Sequence, residues 1–139
     1  MDVHVPLLAS LLLALFAAFM LWRLLRSVRR GLAEGYFQGW DLHPAQLPAR
    51  YAAVYAFFLE ALPAAQLRLR SFLDRAAQAS RVGDVFDDAA TGQGLLNFFL
   101  RGLRCGALSE AEALSAGLTL EELRGRSFQR IVEERRGAA

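Results

Sequence analysis

The hydrophobic pattern is most concentrated at Val5–Trp22, VPLLASLLLALFAAFMLW, eighteen residues without one ionisable side chain. As a helix rising 1.5 Å per residue this run is about 27 Å long, close to the ~30 Å hydrocarbon core of a bilayer. Its leucines, phenylalanines and methionine each favour insertion by roughly 0.3–0.6 kcal/mol. Pro6 and Ser10 lie near its start, where they disturb a helix least. The pattern predicts a transmembrane anchor over residues 1–22.

Beyond Trp22 the period changes. Leu25, Val28 and Leu32 recur on one helical face, while Arg23, Arg26 and Arg30 share another, so the helix is expected to continue to about Glu34 and stop at Gly35. Residues 23–43 read as a basic juxtamembrane helix followed by a linker, GYFQGWDLHP, whose glycines and proline break any period. Residues 44–139 then carry helical periodicity throughout. Pro48 opens a helix with an expected buried stripe of Tyr51, Val54, Tyr55, Phe58 and Leu62. At twelve residues YAAVYAFFLEAL is too short for a second span, and it contains Glu60. Pro63 is expected to restart a helix over 64–80, with Leu69, Phe72, Leu73 and Ala76 inward and with Arg68, Arg70, Asp74, Arg75 and Gln78 outward, Arg70 and Asp74 forming an i,i+4 pair.

Asp84 is expected to cap a short helix that Thr91-Gly92-Gln93-Gly94 ends, and a further helix begins near Leu95 and closes at Gly106. Two capping boxes follow, Ser109 to Glu112 and Thr119 to Glu122. They predict a helix of about seven residues ended by Gly117, and a last helix over 120–135. That last helix should turn Leu120, Leu123, Phe128, Ile131 and Val132 inward and support its outer face with Glu122–Arg126 and Arg130–Glu134 pairs. No stretch of the soluble part alternates with period two, so the expected fold class is all-α: one N-terminal transmembrane helix followed by a small cytoplasmic bundle of four to six short helices.

Charge sets the orientation. Only Asp2 precedes the apolar run as a charged side chain, whereas Arg23, Arg26, Arg29 and Arg30 follow it, which places the N-terminus outside and the bundle in the cytoplasm of the cell (inner) membrane. A cleavable leader would need a positive start and a small-residue cleavage site ahead of polar sequence, and the run here ends instead in Trp-Arg-Leu-Leu. The collar should also attract anionic lipid, with roughly 1 kcal/mol per arginine. All sixteen basic residues are arginine and the net charge is only +2, so no global nucleic-acid footprint is implied.

Candidate chemistry is sparse. Asp84, Asp87 and Asp88 could share a hard cation, but helix capping accounts for them and no second acidic cluster is visible. Thr91–Gly94 lacks the Gly-Lys-Ser/Thr of a phosphate loop. His4 and His43 fall on opposite sides of the membrane, and Cys105 is the only cysteine, a small core residue rather than a reactive thiol. No catalytic, cofactor-binding or metal residue is therefore assigned, and an enzyme is not expected. Leu108–Arg126 resembles a helix-turn-helix, with Ala113-x-x-x-Gly117, then Thr119 capping a second helix that carries Arg124, Arg126 and Arg130. That resemblance implies a tethered regulator using 108–136 on DNA or a signalling protein. Glutamates equal arginines at the start of the proposed recognition helix, so nucleic acid is the lesser alternative.

By elimination the expected function is a single-pass accessory, assembly or scaffolding subunit docking on other integral membrane proteins, homo-oligomerisation being open. Ala14, Ala17 and Ala18 would permit close packing against another span. Tyr36, Phe37, Trp40, Tyr51 and Tyr55 exceed what a core of roughly 105 residues needs and are the candidate partner interface, the alternative being burial in the domain's own core or at the headgroups.

Overall fold

A computed structural model describes residues 4–37, 39, 41–82 and 89–137, side chains 4–6 and 79–82 aside. The described residues form six α-helices and one short 3-10 turn, with no strand among them. The helices are α1 (His4–Ala33), α2 (Leu47–Val82), α3 (Ala89–Arg104), α4 (Glu110–Leu114), α5 (Leu120–Gly125) and α6 (Phe128–Gly137). The architecture is thus all-helical, a long apolar N-terminal helix followed by a small helical bundle. Two compact units divide the chain, Met1–Phe57 and Phe58–Ala139, so that α2 contributes to both.

In the first unit α1 is a single helix in which Leu7–Ala33 is long and apolar enough to cross a membrane, with none of its apolar window buried. Exposure of its large side chains runs from 47% at Leu21 to 69% at Leu13. Only toward its end does α1 pack, Leu24, Leu25 and Val28 being half-buried and Leu32 buried. It stops where expected. Gly35 takes φ +89°, and the Tyr36 and Gly35 amides donate to the Gly31 and Leu32 carbonyls at 2.8 and 3.1 Å, the two bonds of a Schellman cap. Past the cap, His43 Nδ1 accepts the Ala45 amide (3.1 Å) and opens the 3-10 turn Pro44–Gln46.

α2 begins at Leu47 with Pro48 in its first turn, as the sequence predicts, and departs from expectation at Pro63, through which it runs unbroken. Pro63 removes one backbone donor, but it sits on the exposed side, while Leu62, Ala65 and Leu69 are buried on the other. Burial of the stripe 58, 62, 65, 69, 72, 73 and 76 outweighs the roughly 3 kcal/mol an interior proline costs. The stripe has the anticipated period but begins later. Tyr51 and Tyr55 are exposed rather than buried.

The second unit closes its core around Phe58, Leu69, Leu96, Phe99, Phe128 and Ile131. Phe72 of α2 meets Phe128 of α6 edge-on at 6.2 Å, and Phe58 lies 5.0 Å from Phe98 of α3. Thr91–Gly94 does not end a helix; it forms part of the first turns of α3. Gly92 is buried there because the Phe128 ring lies directly over its Cα, where any side chain would overlap the ring. The glycine serves close packing rather than a turn. Gly102 does the same for Leu108.

Gly92→Ala should therefore destabilise the protein by about 1–3 kcal/mol through overpacking, despite alanine's better helix propensity. Gly94→Ala, where a Cβ meets open space, should stabilise by about 0.5–1 kcal/mol. Thermal unfolding of both variants followed by circular dichroism checks the opposite signs.

Candidate functional site

Both capping boxes form as the sequence predicts. Glu112 accepts the Ser109 amide at 2.7 Å while Ser109 Oγ receives the Glu112 amide, opening α4. Glu122 and Thr119 repeat the arrangement at α5. The helices they open are short. α4 ends at Leu114 and turns through Gly117 (φ +91°), and α5 ends at Gly125, so the expected continuous helix over 120–135 is two helices.

The break has identifiable causes. Arg126 adopts the left-handed region (φ 55°). Gln93 of α3 holds this corner with both ends of its amide: Oε1 accepts the Phe128 amide (2.8 Å) and Nε2 donates to the Arg126 carbonyl (3.1 Å). Ser127 Oγ accepts the Arg130 amide and caps α6. The redirected chain lets Phe128 reach Gly92.

Glu122 binds the corner from the other side. It is 8% exposed and takes the fork of Arg135, Nε at 2.6 Å and Nη2 at 2.9 Å, rather than pairing with Arg126. Arg135 Nη2 also donates to the Gly117 carbonyl (2.7 Å). α2 supplies two more donors: Gln66 Nε2 to the Glu112 carbonyl (3.0 Å) and Arg70 to the Ser115 carbonyl, so Arg70, exposed as expected, bonds the α4 turn instead of pairing with Asp74. Carbonyls that a short helix leaves without partners are thus met by side chains from α2 and α6. Of the expected pairs, Arg130–Glu134 forms, at 2.6 Å.

These contacts fix a groove between α3 and α5, a cavity of about 380 Å³. Its apolar lining comes from Leu100 and Leu103 of α3 and Leu120 and Leu123 of α5. Leu123 is buried, and Leu120 is 39% exposed rather than packed inward. Arg101, Arg104, Arg124 and Arg126 also line it, with Glu110 as the acidic exception. Reading the chain in order places these arginines on the outer faces of separate helices. Their convergence rests on the turn at Gly106 and the corner at Arg126.

The first unit carries a second concavity, about 670 Å³, lined by Val28 and Leu32 of α1, by Tyr36, Phe37 and Gly39, and by Arg50 of α2. Arg50 Nε holds both carboxylate oxygens of Asp41 (2.6 and 2.7 Å), and its guanidinium lies against Gly39. Tyr36 (71% exposed) and Phe37 are brought together here; Tyr51 and Tyr55 are exposed but do not line it. Trp40 and the Asp84, Asp87 and Asp88 cluster lie outside the described residues.

Arg23, Arg26, Arg29 and Arg30 are all exposed on α1. Arg26 lies over the Trp22 ring at 5.2 Å, and Arg30 pairs with Glu34 at 2.8 Å. Cys105 is half-buried, its thiol donating to the Gly102 carbonyl (3.4 Å).

Burial pushes the Glu122 carboxyl up, but hydrogen bonds from Arg135 and the Thr119 amide overcome it and hold the group below the ordinary carboxylate value. The stabilisation is then complete above the unfolded-state value near 4.3 and is lost as pH falls through the lower folded value. Glu122→Gln should cost about 1.5–3 kcal/mol at neutral pH and flatten the decline in stability below about pH 4.5. Denaturant melts of both proteins across acid pH check this; parallel declines would remove the assignment.

No curated protein and no solved structure matches the chain. A family model does, over residues 17–131, from within the apolar part of α1 to α6. The chain belongs to the family described as Domain of unknown function (DUF6986).

Proposed function

We propose that the protein is a single-pass membrane-anchored docking subunit, its N-terminus outside, its helical bundle in the cytoplasm, and its partners integral membrane proteins of a larger complex. The observation that carries this reading is α1, whose apolar side chains remain exposed from Leu7 to Trp22. A core helix of a water-soluble protein would bury that surface, since contiguous exposed apolar area of this size marks an interface with lipid or protein. A removed leader would not continue into the folded part of the unit, as α1 does through buried Leu32 and the Gly35 cap. The family match also includes the last third of the apolar run, residues 17–22.

Orientation follows from the arginines at 23, 26, 29 and 30. Arg26 stacked on Trp22 pairs a cation with an aromatic at the end of the apolar run, a combination that suits the boundary between headgroups and hydrocarbon. Exposed Tyr36, Phe37, Tyr51 and Tyr55 give the first unit amphipathic surface suited to partners or to the interface.

A green fluorescent protein fusion after Ala139 should fluoresce, and an alkaline phosphatase fusion there should be inactive. Glutamine at 23, 26, 29 and 30 together should make a fraction of molecules invert. Active phosphatase on the unaltered chain would reverse the orientation, and extraction by alkaline carbonate would remove the anchor. In mild detergent the tagged protein should co-purify with integral membrane proteins in fixed ratio; a chain that runs alone would sink the docking reading.

A further inference from the structure

We propose that the α3–α5 groove receives an amphipathic helix of a partner protein, apolar along one face and acidic along its flanks. This rests on the docking-subunit reading and names the chemistry of the partner.

Shape is the first argument. Leu123 lies at the bottom of a concave site and is 5% exposed, with Leu100 and Leu103 beside it half-buried. A flat bilayer surface cannot reach such a floor, whereas the row of side chains at i, i+3, i+4 and i+7 on a helix can. Charge is the second. Four arginines surround these leucines against one acidic residue, Glu110. Guanidinium groups bind carboxylates in planar, bidentate fashion, so carboxylates flanking an apolar stripe complement this lining. Phosphate backbones would match the arginines and leave the leucines uncovered.

The third argument is Arg126. Arg101, Arg104 and Arg124 stand in the last turns of their helices, where any cation is favoured by the helix dipole. Arg126, the C-cap of α5, shares that setting but carries a backbone cost that the dipole does not require. It occupies a left-handed backbone position that glycine would fill without strain, and Gly125 stands one residue earlier. Gln93 holds the backbone there, so the strain is retained at a residue whose side chain lines the groove.

The test uses the full chain in nanodiscs of neutral phosphatidylcholine. The probe is a fluorescein-labelled helical peptide of about five turns, with leucines on one face and glutamates on both flanks. A control peptide replaces each glutamate with glutamine. Fluorescence anisotropy should show saturable one-to-one binding of the acidic peptide, weakened by added salt. Arg104→Glu, Arg124→Glu and Leu120→Gln should each weaken it about tenfold, while Arg68→Glu, at an exposed position on α2, should leave it unchanged. All four positions are exposed, and circular dichroism verifies that the variants fold. Absence of saturable binding, equal binding of the glutamine peptide, or equal loss in Arg68→Glu overturns the proposal. So does a short-chain phosphatidylglycerol that binds with the groove's variant pattern where the acidic peptide does not, which would make lipid the occupant. Repeating the titration in detergent separates the two readings: a chain that fails to enter nanodiscs defeats the anchor, while its groove is still measured in solution.

Discussion

The bundle depends on how the carboxylate of Glu122 divides its two oxygens. One accepts the Thr119 amide and begins α5, and both receive the Arg135 fork that ties α6 to it. Arg135 in turn meets the Gly117 carbonyl, so the turn before α5, the helix itself and the helix after it share one charged contact. α4 and α5, at five and six residues, are too short to persist without such support, since helix nucleation is unfavourable and most helical stability comes from packing. Among side chains of the described residues, Glu122 is the charged one that is buried, and it is matched by charge-assisted hydrogen bonds.

From that contact the geometry of the groove follows. Glu122 and Gln93 hold opposite sides of the Gly125–Ser127 corner, one by an ion pair to α6 and one by an amide bridging Arg126 and Phe128. With the corner fixed, Phe128 seats over Gly92 and closes the core, and the arginines of α5 come to face those of α3. The same residues that stabilise the second unit therefore set the shape of its concave face. α1 follows other rules: its apolar surface lies outside any core, and its arginines begin where the apolar run ends.

Much of this was legible residue by residue. The Ser109 and Thr119 capping boxes, the stops at Gly35, Gly106 and Gly117, and the stripe from Phe58 to Ala76 all express local geometry, which spacing encodes directly. The misread positions involve partners distant in sequence. Thr91–Gly94 looks like a turn because Gly92 is read without Phe128, thirty-six positions away in the chain. Pro63 looks like a boundary because its lost hydrogen bond is local, whereas the burial that carries the helix across it is not. The break after Gly125 did leave a trace. Leu123 and Phe128 are five apart, a step no single helical stripe makes, and a glycine lies between them.

What the sequence alone determined is the all-helical class, the single long apolar helix and the places where most helices begin and stop, because these depend on interactions within about four residues. What only the tertiary structure decided is which polar side chains bond to distant parts of the chain and which surfaces meet. Arg70, Arg135, Gln66 and Gln93 each have the composition of solvated surface residues, and each bonds a main-chain group thirty or more positions away or, for Arg135, eighteen positions away in the turn before α5. Hydrogen-bond partners of that kind are chosen by packing. The arginine-lined groove is legible for the same reason only once α3 and α5 lie side by side.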